Sequence, residues 1–196
     1  MTGALVAHTY ERLAGLLAAA PEPVWDAPSL CDGWLVRHVI AHLTMPVWLT
    51  PERFGAEMAA AGGDFTVLSD TVAARDGALP TADLLGRLRS PRLHTWQPPG
   101  GGAAGALSHA VIHSLDVTVA LDRPAVAPAE ARVAVLGLLT AAGGTMFGTN
   151  LSGVRLEATD ITWAWGTGRP LQADSGALVA LLSGRTLPDG RALPRA

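Results

Sequence analysis

Six histidines in the sequence include two pairs with helical spacing, His38 with His42 and His109 with His113. Residues four apart on a helix project from one face, so the two imidazoles of a pair can bind one ion, at about 2.0–2.1 Å each for zinc. A third ligand has to come from another element. His42 is the candidate, because it lies at the core-facing edge of its predicted helix. The sequence therefore predicts one divalent metal ion held by His42, His109 and His113.

The alternative is that these pairs arise by chance. A lone His-x-x-x-His pair on a helix is more often hydrogen-bonded or exposed than bound to metal. The residue after His109 is Ala110 rather than Glu, so the general base of the zincin metalloproteases is missing. The pattern therefore argues against a metalloprotease and leaves a metal site of another kind open.

Three residues near these histidines have open roles. Asp116 follows His113 by three residues. It could fix a ligating imidazole or join the metal shell, although a surface or salt-bridged carboxylate is favoured for Asp116 alone. His38 precedes His42 by about one turn, and it could be a partner of that ligand or a solvated histidine. Cys31 could be a thiolate ligand or a nucleophile, but no base adjoins it, which favours a buried inert thiol.

Composition limits the possible partners. The chain has 196 residues, which fits one domain, and its net charge of -3 gives no reason to expect nucleic acid or a membrane surface. All 14 basic residues are arginine, so catalysis through a lysine Schiff base is excluded. A single cysteine allows no intrachain disulfide. Neither a signal peptide nor a membrane-spanning run is evident, so we expect a cytoplasmic protein.

Helical periodicity positions the histidines. Asp32 is expected to cap the helix that carries His42, and Thr81 a later helix that Pro91 ends. His109 and His113 fall on the longest apolar stretch. The apolar spacing predicts helices over 2–20, 34–49, 51–61, 82–88, 103–121 and 128–142, with a weaker indication over 65–76.

From about residue 150 the apolar period changes from helical to two, which is typical of strands. Strands are expected over 154–159, 161–165 and 170–173, followed by a last helix over 175–184 and a frayed end over 187–196. We therefore expect a metal-binding helical bundle over residues 1–149. A small β-containing C-terminal segment, residues 150–196, would pack on it.

Residues 31–43 read Cys-Asp-Gly-Trp-Leu-Val-Arg-His-Val-Ile-Ala-His-Leu. This run resembles the N-terminal signature of the mycothiol-dependent maleylpyruvate isomerase family, Cys-x-Gly-Trp-x-Val-Arg, a short apolar stretch, then Ala-His-Leu. The family's second motif is Glu or His, three residues, His, two residues, Asp, and His109, His113 and Asp116 match it. The C-terminal segment is also similar to the family's tail, which ends in Leu-x-Gly-Arg, here at Arg185.

The resemblance covers about residues 5–186 and implies a mainly α fold, a DinB-like four-helix bundle with a small α/β C-terminal segment. It implies that His42 is the first metal ligand and that mycothiol, a low-molecular-weight thiol, is activated for isomerisation or thiol transfer on a small electrophile. Zinc is favoured by the imidazole donors, and nickel, iron or cobalt would also fit. Two departures are His109, where the isomerases usually have Glu, and His38, where they usually have an acidic residue.

Arg185 is the candidate to bind a substrate carboxylate, because a guanidinium fork binds carboxylates with two hydrogen bonds. An equal alternative is a residue that compensates the dipole of the last helix. Two other functions also stay open: a thiol-independent enzyme in which the metal activates water, and a non-catalytic metal- or ligand-binding module. The apolar composition is compatible with a homodimer.

Overall fold

The computed structural model describes residues 2–141 and 143–196, and it confirms a mainly α bundle with a small C-terminal sheet. The predicted last residue of the helix over 128–142 lies outside the described residues. The helices are α1 Thr2–Ala18, α2 Val36–Leu43, α3 Met45–Trp48, α4 Pro51–Ala60, α5 Phe65–Gly77, α6 Thr81–Leu88, α7 Pro91–Thr95, α8 Gly102–Thr118, α9 Ala129–Ala141 and α10 Ser175–Leu182. The strands are β1 Val154–Ala158, β2 Ala164–Gly166 and β3 Arg169–Ala173.

Helix α8 is the centre of the bundle. It packs against α1, α2, α9 and α10, so its surface is apolar nearly all round, as expected of a helix enclosed on every side. Leu115 is fully buried, and truncating such a side chain costs about 2–5 kcal/mol. His109 and His113 are the half-buried polar exceptions on this helix. Helix α8 therefore carries two imidazoles into an otherwise apolar interior.

The predicted helix over 34–49 is wrong as a single element, because it breaks at Thr44. Pro46 has no N–H to donate to the carbonyl of His42, and its ring would clash with that carbonyl inside a continuous helix. Thr44 accordingly leaves the helical region, with φ -95° and ψ 0°, and α3 begins after it. The break places His42 in the last turn of α2.

Two predicted helix caps are also wrong. Asp32 does not cap α2; the backbone N–H of Leu35 instead bonds to Nδ1 of His38 at 3.1 Å. Thr81 is the first residue of α6, and its hydroxyl donates to Glu22 at 3.2 Å. The weakly indicated helix over 65–76 is confirmed as α5.

The boundary at Pro91 also differs from the prediction. Helix α6 ends at Leu88, and Pro91 begins the short helix α7. Proline suits a helix start, because its missing N–H has no intrahelical partner there. The Ser90 hydroxyl caps α7 by accepting a hydrogen bond from the N–H of Arg92 at 3.4 Å. The sequence therefore contains a helix start where we predicted only a stop.

The C-terminal segment packs its sheet and last helix on the bundle. Strand β1 lies centrally, antiparallel to β2 and parallel to β3, with the buried Leu156 between Trp165 and Leu171. The strand predicted over 161–165 is shorter than expected and begins only at Ala164. Helix α10 is buried along its whole length against α8 and α9, so the hydrophobic core is continuous across both parts. The division at residues 149 and 150 stays a prediction.

The end of the chain is not frayed, which corrects the expectation for 187–196. Leu187 and Leu193 are buried, and the N–H of Asn150 donates to the carbonyl of Pro194 at 2.7 Å. This tail has core contacts and main-chain pairing that the periodicity of its sequence did not indicate. In the part of the chain that the structure describes, no helix is both long and apolar enough to cross a bilayer.

Candidate metal centre and the adjoining cleft

The three predicted ligands converge on one point, and we call them the histidine trio. His42 comes from the last turn of α2, and His109 and His113 from successive turns of α8. One ligand atom of each lies within 4.8 Å of the others, and Nε2 of His42 is 3.3 Å from Nε2 of His109. Two nitrogens bound to one tetrahedral zinc at about 2.05 Å would also lie about 3.3 Å apart. The spacing therefore fits a shared divalent ion.

Each ring of the trio is oriented through its other nitrogen. With Nδ1 protonated and donating to an oxygen, Nε2 keeps its lone pair, which is the usual arrangement of a metal-ligating histidine. Two such lone pairs facing each other are relieved by a cation between them. The Nδ1 atoms of His42, His109 and His113 contact Ser69 Oγ at 2.8 Å, Tyr10 Oη at 3.4 Å and Asp116 Oδ2 at 2.8 Å, respectively.

Burial keeps two of these imidazoles neutral. It lowers the pKa of His42 to about 3, with a smaller contribution from the charge of His113. Burial, followed by the charges of the neighbouring histidines, also lowers the pKa of His109 well below its ordinary value. Neutral imidazole is the form that binds metal, so the site needs little deprotonation near neutral pH.

A second cluster adjoins the trio at His113 and consists of Cys31, Asp116 and Arg185. Asp116 is fully buried and accepts hydrogen bonds from Arg185, at 2.7 Å from Nε to Oδ1 and 3.0 Å from Nη2 to Oδ2. Burial alone would raise the pKa of Asp116, but the hydrogen bonds from His113 and Arg185 outweigh it and hold the pKa below its ordinary value. The reading of Asp116 as a surface carboxylate is therefore wrong, whereas its salt bridge and its contact to a ligand were both among the alternatives.

Cys31 is a protonated thiol in this second cluster. Its Sγ donates to Asp116 Oδ2 at 3.1 Å and lies 3.3 Å from Nη2 of Arg185. Burial and then the charge of Asp116 raise the pKa of the thiol. Cys31, His113 and Asp116 also have ligand atoms within 4.8 Å of one another. The guanidinium of Arg185 already supplies the cation there, so we do not assign a second metal site.

His38 lies away from the trio, on the side of α2 that faces α5. Its ring packs so closely on Gly77 that a Cβ there would lie 2.5 Å from Cδ2 of His38. With Nδ1 bonded to the backbone of Leu35, this histidine orders the start of α2. Neither of the roles considered for His38 from the sequence describes it.

A cleft of about 510 Å³ opens beside the trio. His42 and His113 reach it, together with Cys31 and Arg185 of the second cluster. Ser69, Tyr10 and Arg195 were not foreseen, because their relation to the site depends on packing between distant elements. Only Tyr10 gave a signal, since a tyrosine on an apolar helix face needs a partner for its hydroxyl. The remaining residues lining the cleft are Leu30, Asp32, Trp34, Phe65, Thr66, Ser69, Asp70, Phe147, Ser183, Gly184, Thr186 and Arg195.

Comparison with known proteins identifies the family. The mycothiol maleylpyruvate isomerase N-terminal domain matches residues 6–182. A crystal structure of a histidine-to-alanine variant of mycothiol-dependent maleylpyruvate isomerase is similar with a TM-score of 0.57 at 13% identity, covering 100% of this chain and 95% of that chain. A second structure of mycothiol-dependent maleylpyruvate isomerase gives a TM-score of 0.48 at 14% identity with the same coverage.

Identity this low shows a shared fold and does not transfer an activity. No curated protein matches the chain significantly. The family match nevertheless spans most of the sequence, from the start of α1 to the end of α10. The chain therefore belongs to the family of the mycothiol maleylpyruvate isomerase N-terminal domain.

Proposed function

We propose that this protein is a divalent-metal-dependent enzyme that activates a low-molecular-weight thiol, mycothiol, for isomerisation or thiol transfer on a small electrophile. One observation carries the proposal: three imidazoles face a common centre at the edge of a cleft large enough for small molecules. Three protein ligands leave a coordination position open, as in catalytic rather than structural sites. Family membership supports the choice of mycothiol.

A zinc ion, or another divalent ion such as nickel, iron or cobalt, would supply a positive charge that lowers the pKa of a thiol in the open position. Three neutral imidazoles cancel none of that charge, whereas the glutamate usual in the isomerases would cancel part of it. Ser69 and Asp116 fix the orientation of two ligand rings through hydrogen bonds of 2.8 Å each. The second cluster keeps its own thiol protonated, so Cys31 does not compete with the incoming thiol.

Arg185 is proposed as the residue that touches the substrate. It lies in the cleft, and Asp116 engages its Nε and Nη2 atoms. Nη1 is the terminal nitrogen that Asp116 does not engage, which leaves one edge for a substrate oxygen. We therefore expect Arg185 to donate a single hydrogen bond to the substrate, rather than to clasp a carboxylate with its whole fork.

The test begins with elemental analysis of the purified protein and of alanine variants at His42, His109 and His113. His8→Ala is the matched control, because His8 is exposed on α1 and distant in sequence from the trio. We expect about one divalent ion per chain in the wild type and in the control, lost in each trio variant. A protein that takes up no metal after reconstitution would contradict the proposal.

The second step is a rate assay with mycothiol and a small electrophile such as a cis-configured unsaturated keto acid. We expect turnover that requires the thiol and that His113→Ala abolishes while the helical circular dichroism spectrum stays unchanged. Turnover that proceeds equally without any thiol would contradict the thiol part of the proposal and favour metal-activated water.

A further inference from the structure

The two arginines in the cleft have different electrostatic surroundings. Arg185 forms an ion pair with the buried Asp116, so this pair has no net charge. Arg195 donates only to main-chain carbonyls, from Nη1 to Phe147 at 3.2 Å and from Nη2 to Gly184 at 2.9 Å. No carboxylate among the described residues forms an ion pair with Arg195. Arg195 is therefore the arginine of the cleft whose positive charge is not neutralised by a direct partner.

The acidic residues of the cleft have other neighbours. Asp70 accepts a hydrogen bond from the indole N–H of Trp34 at 2.9 Å, and the charge of Asp32 acts on Arg185. The cleft thus has carboxylates near Trp34 and Arg185 and an unpaired guanidinium at Arg195. An anionic group entering the cleft is attracted to Arg195.

Residues 187–196, which we call the C-terminal strap, hold Arg195 in place. The carbonyl of Pro194 accepts from Asn150 at 2.7 Å, and the N–H of Ala196 donates to Gly148 at 2.9 Å. The backbone is therefore bonded on both sides of Arg195, and Leu193 anchors the strap in the core. Because folding has already ordered this segment, a ligand that binds Arg195 meets a smaller entropy cost.

Gly184 brings the guanidinium of Arg195 next to Arg185. A Cβ at position 184 would lie 2.8 Å from Nη1 of Arg195, so the guanidinium packs directly on the glycine backbone. Gly184 also has φ +77°, which favours glycine. The Gly-Arg pair of the last motif therefore provides both a substrate-facing arginine and the seat for a second one.

We infer that Arg195 binds a carboxylate of the substrate and so determines specificity. This inference rests on the proposed function. It narrows the substrate to small electrophiles that carry a carboxylate at the end remote from the reacting carbon. Arg195 would hold that carboxylate by charge-assisted hydrogen bonds from its remaining N–H donors, with the reacting end toward the trio. Arg195 lies beyond residues 6–182, so the family match does not include it.

The experiment measures binding rather than turnover. Metal-loaded protein is titrated calorimetrically with unreactive dicarboxylates from malonate to adipate and with their half-amides. Loss of a hydrogen bond to a charged group lowers affinity by about tenfold or more. We expect the wild type to prefer at least one diacid over its half-amide by about this factor. Arg195→Gln should abolish the preference, and Arg195→Lys should keep part of it.

Arg191→Gln is the matched control. Arg191 lies on the same strap but is paired with Asp189 and bonded to the carbonyl of Gln172, and it does not line the cleft. It should keep the wild-type preference, with metal content and thermal midpoint alike in all variants. No preference in the wild type, or a preference that survives Arg195→Gln, would overturn the inference.

Failure of the proposed function gives a different result. An Arg195-dependent preference without thiol-dependent turnover would reject the thiol enzyme while keeping Arg195 as a carboxylate-binding residue. Thiol-dependent turnover without the preference would reject only the role of Arg195.

Discussion

The histidine trio and the cluster of Cys31, Asp116 and Arg185 meet at His113 and solve the same problem in opposite ways. Both place titratable side chains in a low-dielectric interior, where an unpaired charge is costly. The trio consists of bases, of which burial lowers the pKa values of His42 and His109. It contains no cation of its own. The second cluster contains a carboxylate and the guanidinium that neutralises it.

This difference decides which group of ligand atoms is a metal site. Both groups satisfy the distance requirement, with ligand atoms within 4.8 Å of one another. Only the trio presents lone pairs that no protein cation already uses. Proximity of metal-binding residue types is therefore insufficient, and the charge already present among them has to be counted as well.

Removing the cation from the second cluster should have the largest effect on stability. Arg185→Leu leaves Asp116 buried without its ion-pair partner, and breaking a buried pair in this way costs about 3–5 kcal/mol. Urea unfolding of the metal-free protein measures the loss. Arg191→Leu, at an exposed pair, should cost at most about 1 kcal/mol. Equal losses in the two variants would show that the second cluster is not neutralised internally.

Acidification should destabilise the metal-free protein through the trio. The pKa of His42 is about 3 in the folded chain and about 6.5 when unfolded. Between these values the unfolded chain binds a proton on His42 that the folded chain does not bind, so stability falls as pH falls. At pH 4 the loss relative to pH 7 is about 3 kcal/mol from His42. Urea unfolding at both pH values measures it, and a His42→Leu variant should lack this contribution.

The two clusters are coupled through the contact between Asp116 and His113. Asp116→Asn keeps the shape but removes the charge that orients the His113 ring, and losing such an outer partner lowers metal affinity by about 10–100-fold. Competition with a fluorescent chelator measures the affinity. Asp70→Asn, which changes a carboxylate of the cleft away from the trio's hydrogen bonds, is the control and should bind metal like the wild type.

Local periodicity was enough to predict much of the fold and the trio. The spacing of His109 and His113 reports one face of α8, and the core-facing edge of α2 gave His42. The break at Thr44 was missed because the apolar pattern continues past it, and only the missing N–H of Pro46 marks the end. A similar limit applied to Pro91, which was taken for a stop although it begins a helix.

The environment of the site depends on contacts between distant parts of the chain. Asp116 and Arg185 are 69 residues apart, so the burial and pairing of Asp116 could not be deduced from α8 alone. Ser69 reaches His42 from α5 and Arg195 reaches the cleft from the strap, and neither forms a local pattern with the residue it serves. Their positions follow from tertiary packing, which single-sequence periodicity does not contain.

The smallest effect should come from Cys31, because the second cluster is neutral without it. Cys31→Ala removes a weak thiol donor from Asp116, which keeps both hydrogen bonds from Arg185 and the one from His113. We expect the free energy of unfolding to change by about 1 kcal/mol or less and metal content to stay unchanged. Urea unfolding and elemental analysis measure the two quantities. Loss of metal in Cys31→Ala would place the thiolate among the ligands and would merge the two clusters into one metal centre.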